Sequence, residues 1–121
     1  MDKLHNFINN SKLDWYPWYN DFEIINTYPK YLIRTYIKTN PNNYFELGFI
    51  YQFYYKNYDL MKKYYDMAIV LGNSDAMIYL AIYYQYIENN YELMKKYYMM
   101  AIKLGKPYTY IDLLRYYKMN I

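Results

Sequence analysis

The sequence has no cysteine, only one histidine, and three glycines that stand alone at positions 48, 72 and 105. Each shortage removes a class of function. Without cysteine there is no disulfide framework, thiol nucleophile or thiolate metal site, and the absence fits a reducing compartment. Isolated glycines cannot build a phosphate-cradling loop. The histidine, His5, has no second histidine or carboxylate cluster at metal-ligand spacing around it. Ser11 and Ser74 are the only serines, and Ser74 is better explained as part of a helix start. No catalytic residue, cofactor site or metal site is therefore expected, and the chain reads as non-enzymatic.

Long apolar runs are missing too. Nothing approaches the roughly 20 consecutive apolar residues of a membrane span, and the opening MDKLHNFINNSKLDW lacks the basic-then-apolar layout of a signal peptide. The expectation is a soluble, intracellular, cytoplasmic protein without membrane contact. A chain of 121 residues has room for one core. Its 14 basic and 11 acidic groups leave a net charge of +3, well below that of a dedicated nucleic-acid binder. All of the excess lies after residue 60, where eight bases face five acids.

What the chain has in quantity is tyrosine, 23 residues, beside abundant asparagine, isoleucine and lysine. All four have AT-rich codons, so genome composition accounts for part of this usage. Tyrosine fills apolar space while its hydroxyl finds water or a carbonyl, so many of the 23 are candidate core or boundary residues.

The strongest signal is a repeat. YDLMKKYYDMAIVLG (58–72) returns as YELMKKYYMMAIKLG (91–105), differing only at 59/92, 66/99 and 70/103. The same shift of 33 lays LGFIYQFYYKNY (47–58) on LAIYYQYIENNY (80–91), and Leu113, Tyr116 and Tyr117 begin a truncated third copy. A fixed period of this size marks stacked units, each burying its apolar face on a neighbour. Within the repeated phrase Leu60, Met61, Tyr64, Ala68 and Leu71 follow the 3–4 spacing of a buried helix face, with Asp59, Lys62, Lys63 and Asp66 opposite. Gly72 and Gly105 are placed as helix stops. Ala76, Leu80, Tyr84 and Ile87 are in register along the next helix. Helices are predicted near 42–55, 58–71, 75–88, 91–104 and 107–119, with Pro41 and Pro107 at helix starts. Loops of two to four residues make neighbours antiparallel, so the fold class is all-α, a short α-solenoid of helix pairs. Residues 1–40 read as an N-terminal helical, aromatic capping segment, and 41–121 as the repeat region of one domain.

These residues resemble the Sel1-like repeat, a relative of the tetratricopeptide repeat. Tyr64 and Tyr65 stand at its aromatic pair, Ala68 at its first small residue, Gly72 and Asn73 in its loop, and Ala76, Leu80, Ala81 and Tyr84 along its next helix; Leu47, Gly48 and Tyr51 match one unit earlier. The likeness is good from about 44 to 105. Met61 and Met94, with Ile69 and Ile102, replace small alanines, which predicts slightly splayed helix pairs with methionine as adaptable filler. The Asn/Tyr/Ile-rich style is also similar to repeat proteins of large DNA viruses that infect amoebae, for which the compartment would be host cytoplasm.

The resemblance implies an interaction adaptor rather than an enzyme. It also implies that the first helix of each pair lines a concave side, which places Phe45, Phe49, Gln52 and Phe53 there, with Ile78, Ile82, Gln85 and Tyr86 beside them. A surface that apolar calls for cover, by a partner's helix or peptide, by self-association, or by the chain's own first 40 residues. Two other readings stand beside the adaptor. One is a single-stranded nucleic-acid binder using Lys95, Lys96, Lys103 and Lys106 with exposed tyrosines. The other is an obligate structural subunit of a larger assembly. The doubled lysines otherwise read as a solvated face with i,i+4 pairs such as Asp59–Lys63 and Glu92–Lys96, worth roughly 0.2–0.5 kcal/mol each. Trp15 and Trp18 in DWYPWYNDF (14–22) read as an end cap or as partner anchors.

Overall fold

The segments FELGFIYQF and AMIYLAIYYQY carry apolar side chains on every side, whereas the segments that follow each of them have one apolar stripe. That difference sets the architecture. The computed structural model describes residues 27–104, and every regular element among them is helical: α1 (Lys30–Thr39), α2 (Tyr44–Phe53), α3 (Tyr58–Val70), α4 (Ser74–Tyr83), a π-helical turn (Tyr84–Glu88) and α5 (Tyr91–Lys103). Four of the five helices predicted from the period are present, three with slightly trimmed ends, while the one predicted at 75–88 begins at Ser74 and passes into the π turn after Tyr83. The one at 107–119, the tryptophan cluster, His5, Ser11, Gly105, Pro107 and Lys106 lie outside the described residues. The chain divides into two compact units, Met1–Met67 and Ala68–Ile121, and the division falls inside α3.

Helix α1 lies outside the repeated phrase. Its apolar residues Leu32, Ile33, Tyr36 and Ile37 share one side, and Ile33 and Tyr36 are buried. Pro29 precedes it at φ −58°, a value proline supplies without cost.

Helices α2 and α4 are the buried ones. Every residue from Phe45 to Ile50 and from Ala76 to Tyr84 is buried, as expected for helices without a polar face. Helices α3 and α5 bury matching stripes: Met61, Tyr65 and Ala68 in the first, Met94, Tyr98 and Ala101 in the second. The stripe differs from the one predicted. Leu60 and Tyr64 are only half-buried and Leu71 is 74% exposed, while Tyr65 is fully buried. At about 100° per residue, Leu60, Tyr64 and Leu71 lie toward one edge of the stripe centred on Met61, Tyr65 and Ala68. Leu71 also follows the last helical residue, where the chain turns. Ile87 likewise leaves its predicted register and is half exposed, because the wider π turn rotates it away from the line of Ala76, Leu80 and Tyr84. Met61 and Met94 are completely buried.

Three asparagines make the corners. Gly72 adopts φ +82°. Its N–H donates to the Ile69 carbonyl at 2.8 Å, and the Asn73 N–H donates to the Ala68 carbonyl at 3.0 Å, the paired bonds of a Schellman stop. The Asn73 side chain then accepts from the Ala76 N–H at 3.0 Å and caps α4, of which Ser74 is the first residue. Asn57 and Asn90 repeat this double role. Their N–H groups donate to the Tyr51 and Tyr84 carbonyls at 2.8 Å, and their side chains accept from the Leu60 and Leu93 N–H groups at 3.2 Å. Each asparagine thus closes one helix with its backbone and opens the next with its side chain.

Candidate functional site

The two hairpins are built around the same pair of polar groups. In α2 and α3 the fully buried Tyr65 donates its hydroxyl to Gln52 Oε1 at 2.6 Å. In the second hairpin the fully buried Tyr98 of α5 donates to Gln85 Oε1 of the π turn at 2.9 Å. A tyrosine can occupy an apolar interior only with a partner for its hydroxyl, and a glutamine supplies it, Gln52 near the end of α2 and Gln85 in the π turn after α4.

Around Tyr65 the α2 aromatics form a row. Phe45 stacks on it with centroids 6.0 Å apart, Phe49 follows Phe45 at 6.4 Å, and Phe53 follows Phe49 at 4.7 Å. The Tyr65 ring occupies the space where a Cβ at Gly48 would stand, so the absent side chain admits the ring.

The eight residues assigned to a concave binding side are therefore mostly interior. Phe45, Phe49 and Gln52 are buried and Phe53 is half-buried; Ile78 and Ile82 are buried, and Gln85 and Tyr86 half-buried. None of the eight is exposed. The physical reason was present in the sequence: a helix with no polar face has no side left to turn outward. Glu46, the lone charged residue of α2, is buried with the rest at 2% exposure.

The doubled lysines have a specific neighbour. Lys63 Nζ lies 5.5 Å from the Tyr64 ring centroid and Lys96 Nζ lies 5.2 Å from that of Tyr97, within cation–π range. One stacking contact of each ring is also repeated. Tyr64 stacks on Tyr51 at 5.5 Å and 5°, and Tyr97 on Tyr84 at 5.8 Å and 8°. Tyr44 and Tyr55 extend the first stack at 6.5 Å and 5.4 Å. Burial, with the neighbouring phenols of Tyr64 and Tyr55, raises the Tyr51 phenol above its ordinary value of 10.0. Lys95, Lys96 and Lys103 are exposed, as a nucleic-acid stripe requires. Tyr97 already holds a ring and an ammonium, which leaves it poorly placed to stack a base.

Sequence reasoning missed the outer side of α1. Lys30, Arg34 and Lys38 are all exposed at successive turns, and Tyr31 beside them is 67% exposed. The i, i+4, i+8 spacing of three cations in KYLIRTYIKT was the available signal, and the helix contains no acid.

Among the described residues, no group of three or more acidic, histidine or cysteine side chains could hold a metal ion, and no helix is long and apolar enough to cross a membrane. Ser74 is half-buried in the first turn of α4. Comparison of the chain with protein-family models, curated proteins and solved structures gave no match.

Proposed function

We propose that the chain is a short α-solenoid of Sel1-like helix pairs that acts as a non-enzymatic scaffold for protein–protein contacts. The observation that carries this reading is a side-chain bond made twice at the spacing of the sequence repeat, Tyr65 to Gln52 and Tyr98 to Gln85. The tyrosine stacks, the lysines over them and the asparagine caps follow the same spacing. A unit that reproduces its internal contacts is suited to stacking, and stacked helix pairs offer extended surfaces for partners.

The aromatic side of the first helices stays the proposed partner side, in a narrower form. Contact would fall on the residues that keep some surface, Phe53 in the first unit and Gln85 and Tyr86 in the second. Phe45, Phe49, Gln52, Ile78 and Ile82 would support them from the interior. The absence of cysteine suits work in a reducing, intracellular compartment.

The first test is the molar mass of the full chain in solution at two concentrations, which separates a monomeric scaffold from a self-associating subunit. Partners recovered by the wild-type chain are then tested against Phe53→Ser and Tyr86→Ser, with Asp59→Ser and Glu92→Ser as controls. The proposal expects capture to fail with the first pair only. Equal capture by all four folded variants would reject the partner side. The solenoid is tested separately by inserting a second copy of residues 58–90. A folded, more helical and cooperatively unfolding protein is expected, and an unfolded product would rule the stacking out.

A further inference from the structure

We propose that the outer side of α1 is a binding surface for single-stranded nucleic acid, with Lys30, Arg34 and Lys38 on the phosphates and Tyr31 stacking a base. The proposal stands independently of the protein-binding reading above.

The arrangement works against the helix itself. Like charges at i,i+4 destabilise a helix, and α1 has two such steps, from Lys30 to Arg34 and from Arg34 to Lys38. Lys30 adds a cation in the first turn, which contains no acid and where the helix dipole disfavours positive charge. All three cations are exposed, so none is placed to support the core. A polyanion laid along the helix would turn each of these repulsions into an attraction.

The spacing suits a strand. Four residues advance about 6 Å along an α-helix, comparable with the step between successive phosphates of an extended single strand. The cations lie side by side at azimuths that differ by about 40° per step, forming one continuous line.

Tyr31 decides between a nucleic acid and an acidic protein segment. Its azimuth lies beside that of Lys38, and no ring contact involves it among the described residues, whereas Tyr44, Tyr51, Tyr54, Tyr55 and Tyr64 of the same unit are all engaged with other rings. The neutral polar groups on this side are used internally: Thr35 donates to the Tyr31 carbonyl at 2.7 Å and Thr39 to the Thr35 carbonyl at 2.8 Å. The surface therefore offers charge and one open aromatic ring. An acidic peptide uses only the charge, while a nucleic-acid strand uses both.

The test uses the full chain and fluorescence anisotropy of labelled oligouridylate and oligothymidylate of about a dozen nucleotides, with polyglutamate as the anionic protein control. Either strand should bind, with affinity falling as salt rises from about 50 to 200 mM. Removing one cation with Arg34→Gln should reduce the slope of log affinity against log salt by roughly 0.7. Tyr31→Ala should weaken binding about tenfold, and Tyr31→Trp should retain it. Lys95→Glu with Lys96→Glu on α5 should leave at least the α1-dependent part of the slope in place. Circular dichroism verifies that each variant is folded, and the single changes keep the test usable if a triple charge reversal unfolds the chain. Absence of binding to both strands would overturn the proposal. So would polyglutamate binding as tightly as the strands, or binding that ignores Arg34 and Tyr31 and vanishes with the α5 pair.

Discussion

Tyr65 crosses its hairpin to donate to Gln52 at 2.6 Å, and both residues are buried. The matching bond from Tyr98 to Gln85 is longer at 2.9 Å and ends on a half-buried glutamine. The same phrase of sequence therefore produces the same bond in two settings of different dryness.

That difference predicts unequal costs. Tyr65→Phe removes the donor from a buried amide oxygen and should destabilise by about 1–3 kcal/mol. Tyr98→Phe should cost only about 0.5–1.5 kcal/mol, because water can reach Gln85. Urea unfolding of both variants checks the ranking, and equal or reversed losses would contradict it.

Gly48 predicts an asymmetry between the units. A Cβ there meets the Tyr65 ring, so Gly48→Ala should lose about 1–3 kcal/mol through overpacking. The matching residue 81 is already alanine and fully buried. Ala81→Gly should therefore also destabilise, by about 0.5–1 kcal/mol from helix propensity alone. A stabilising Gly48→Ala would show that the ring moves aside freely.

The α3–α4 corner separates backbone strain from crowding. No atom lies within 4 Å of a Cβ built at Gly72, yet φ is +82°. Gly72→Val should cost about 1–2 kcal/mol from the left-handed conformation alone, and Gly72→Asn less. Asn73→Ala should cost about 1 kcal/mol through the lost cap. Thermal unfolding would expose an error in this assignment if valine and asparagine at 72 behaved alike.

Tyr51 links the tyrosine stack to pH. Its phenol is raised above 10.0 by burial first, then by Tyr64 and Tyr55. The folded chain therefore holds this proton more tightly than the unfolded chain. The contribution is complete below pH 10.0 and is lost as pH rises through the raised folded value. In spectrophotometric titration, Tyr51→Phe should remove one late-ionising phenol from the curve. An unchanged titration curve in that variant would refute the assignment.

The helices were legible because the signals for them are local. The doubled phrase, the apolar spacing and Gly72 identify α3, α4 and α5 within a few residues of their ends, since hydrogen bonds inside a helix join near neighbours. Helix α1 was less legible because its sequence and its cap share the period at only Lys30, Tyr31 and Asn40. The stop at Lys56, a non-glycine residue at φ +53°, gave no signal either, since lysine has no preference for that conformation.

The candidate site was legible only in its residue types. The eight positions named on α2, α4 and the π turn are apolar residues and glutamines, yet which of them keep surface could not be read from a repeat pattern. The sequence by itself determined the all-helical character, the corners and the recurrence of Tyr65 and Tyr98, because each depends on a short stretch of chain. Tertiary structure alone decided that Tyr65 rather than Tyr64 is core, that Leu71 points to solvent, and that Phe45, Phe49 and Ile78 are interior. Burial is a property of everything packed around a residue, and a helix apolar on all sides does not reveal how much of it its neighbours will cover.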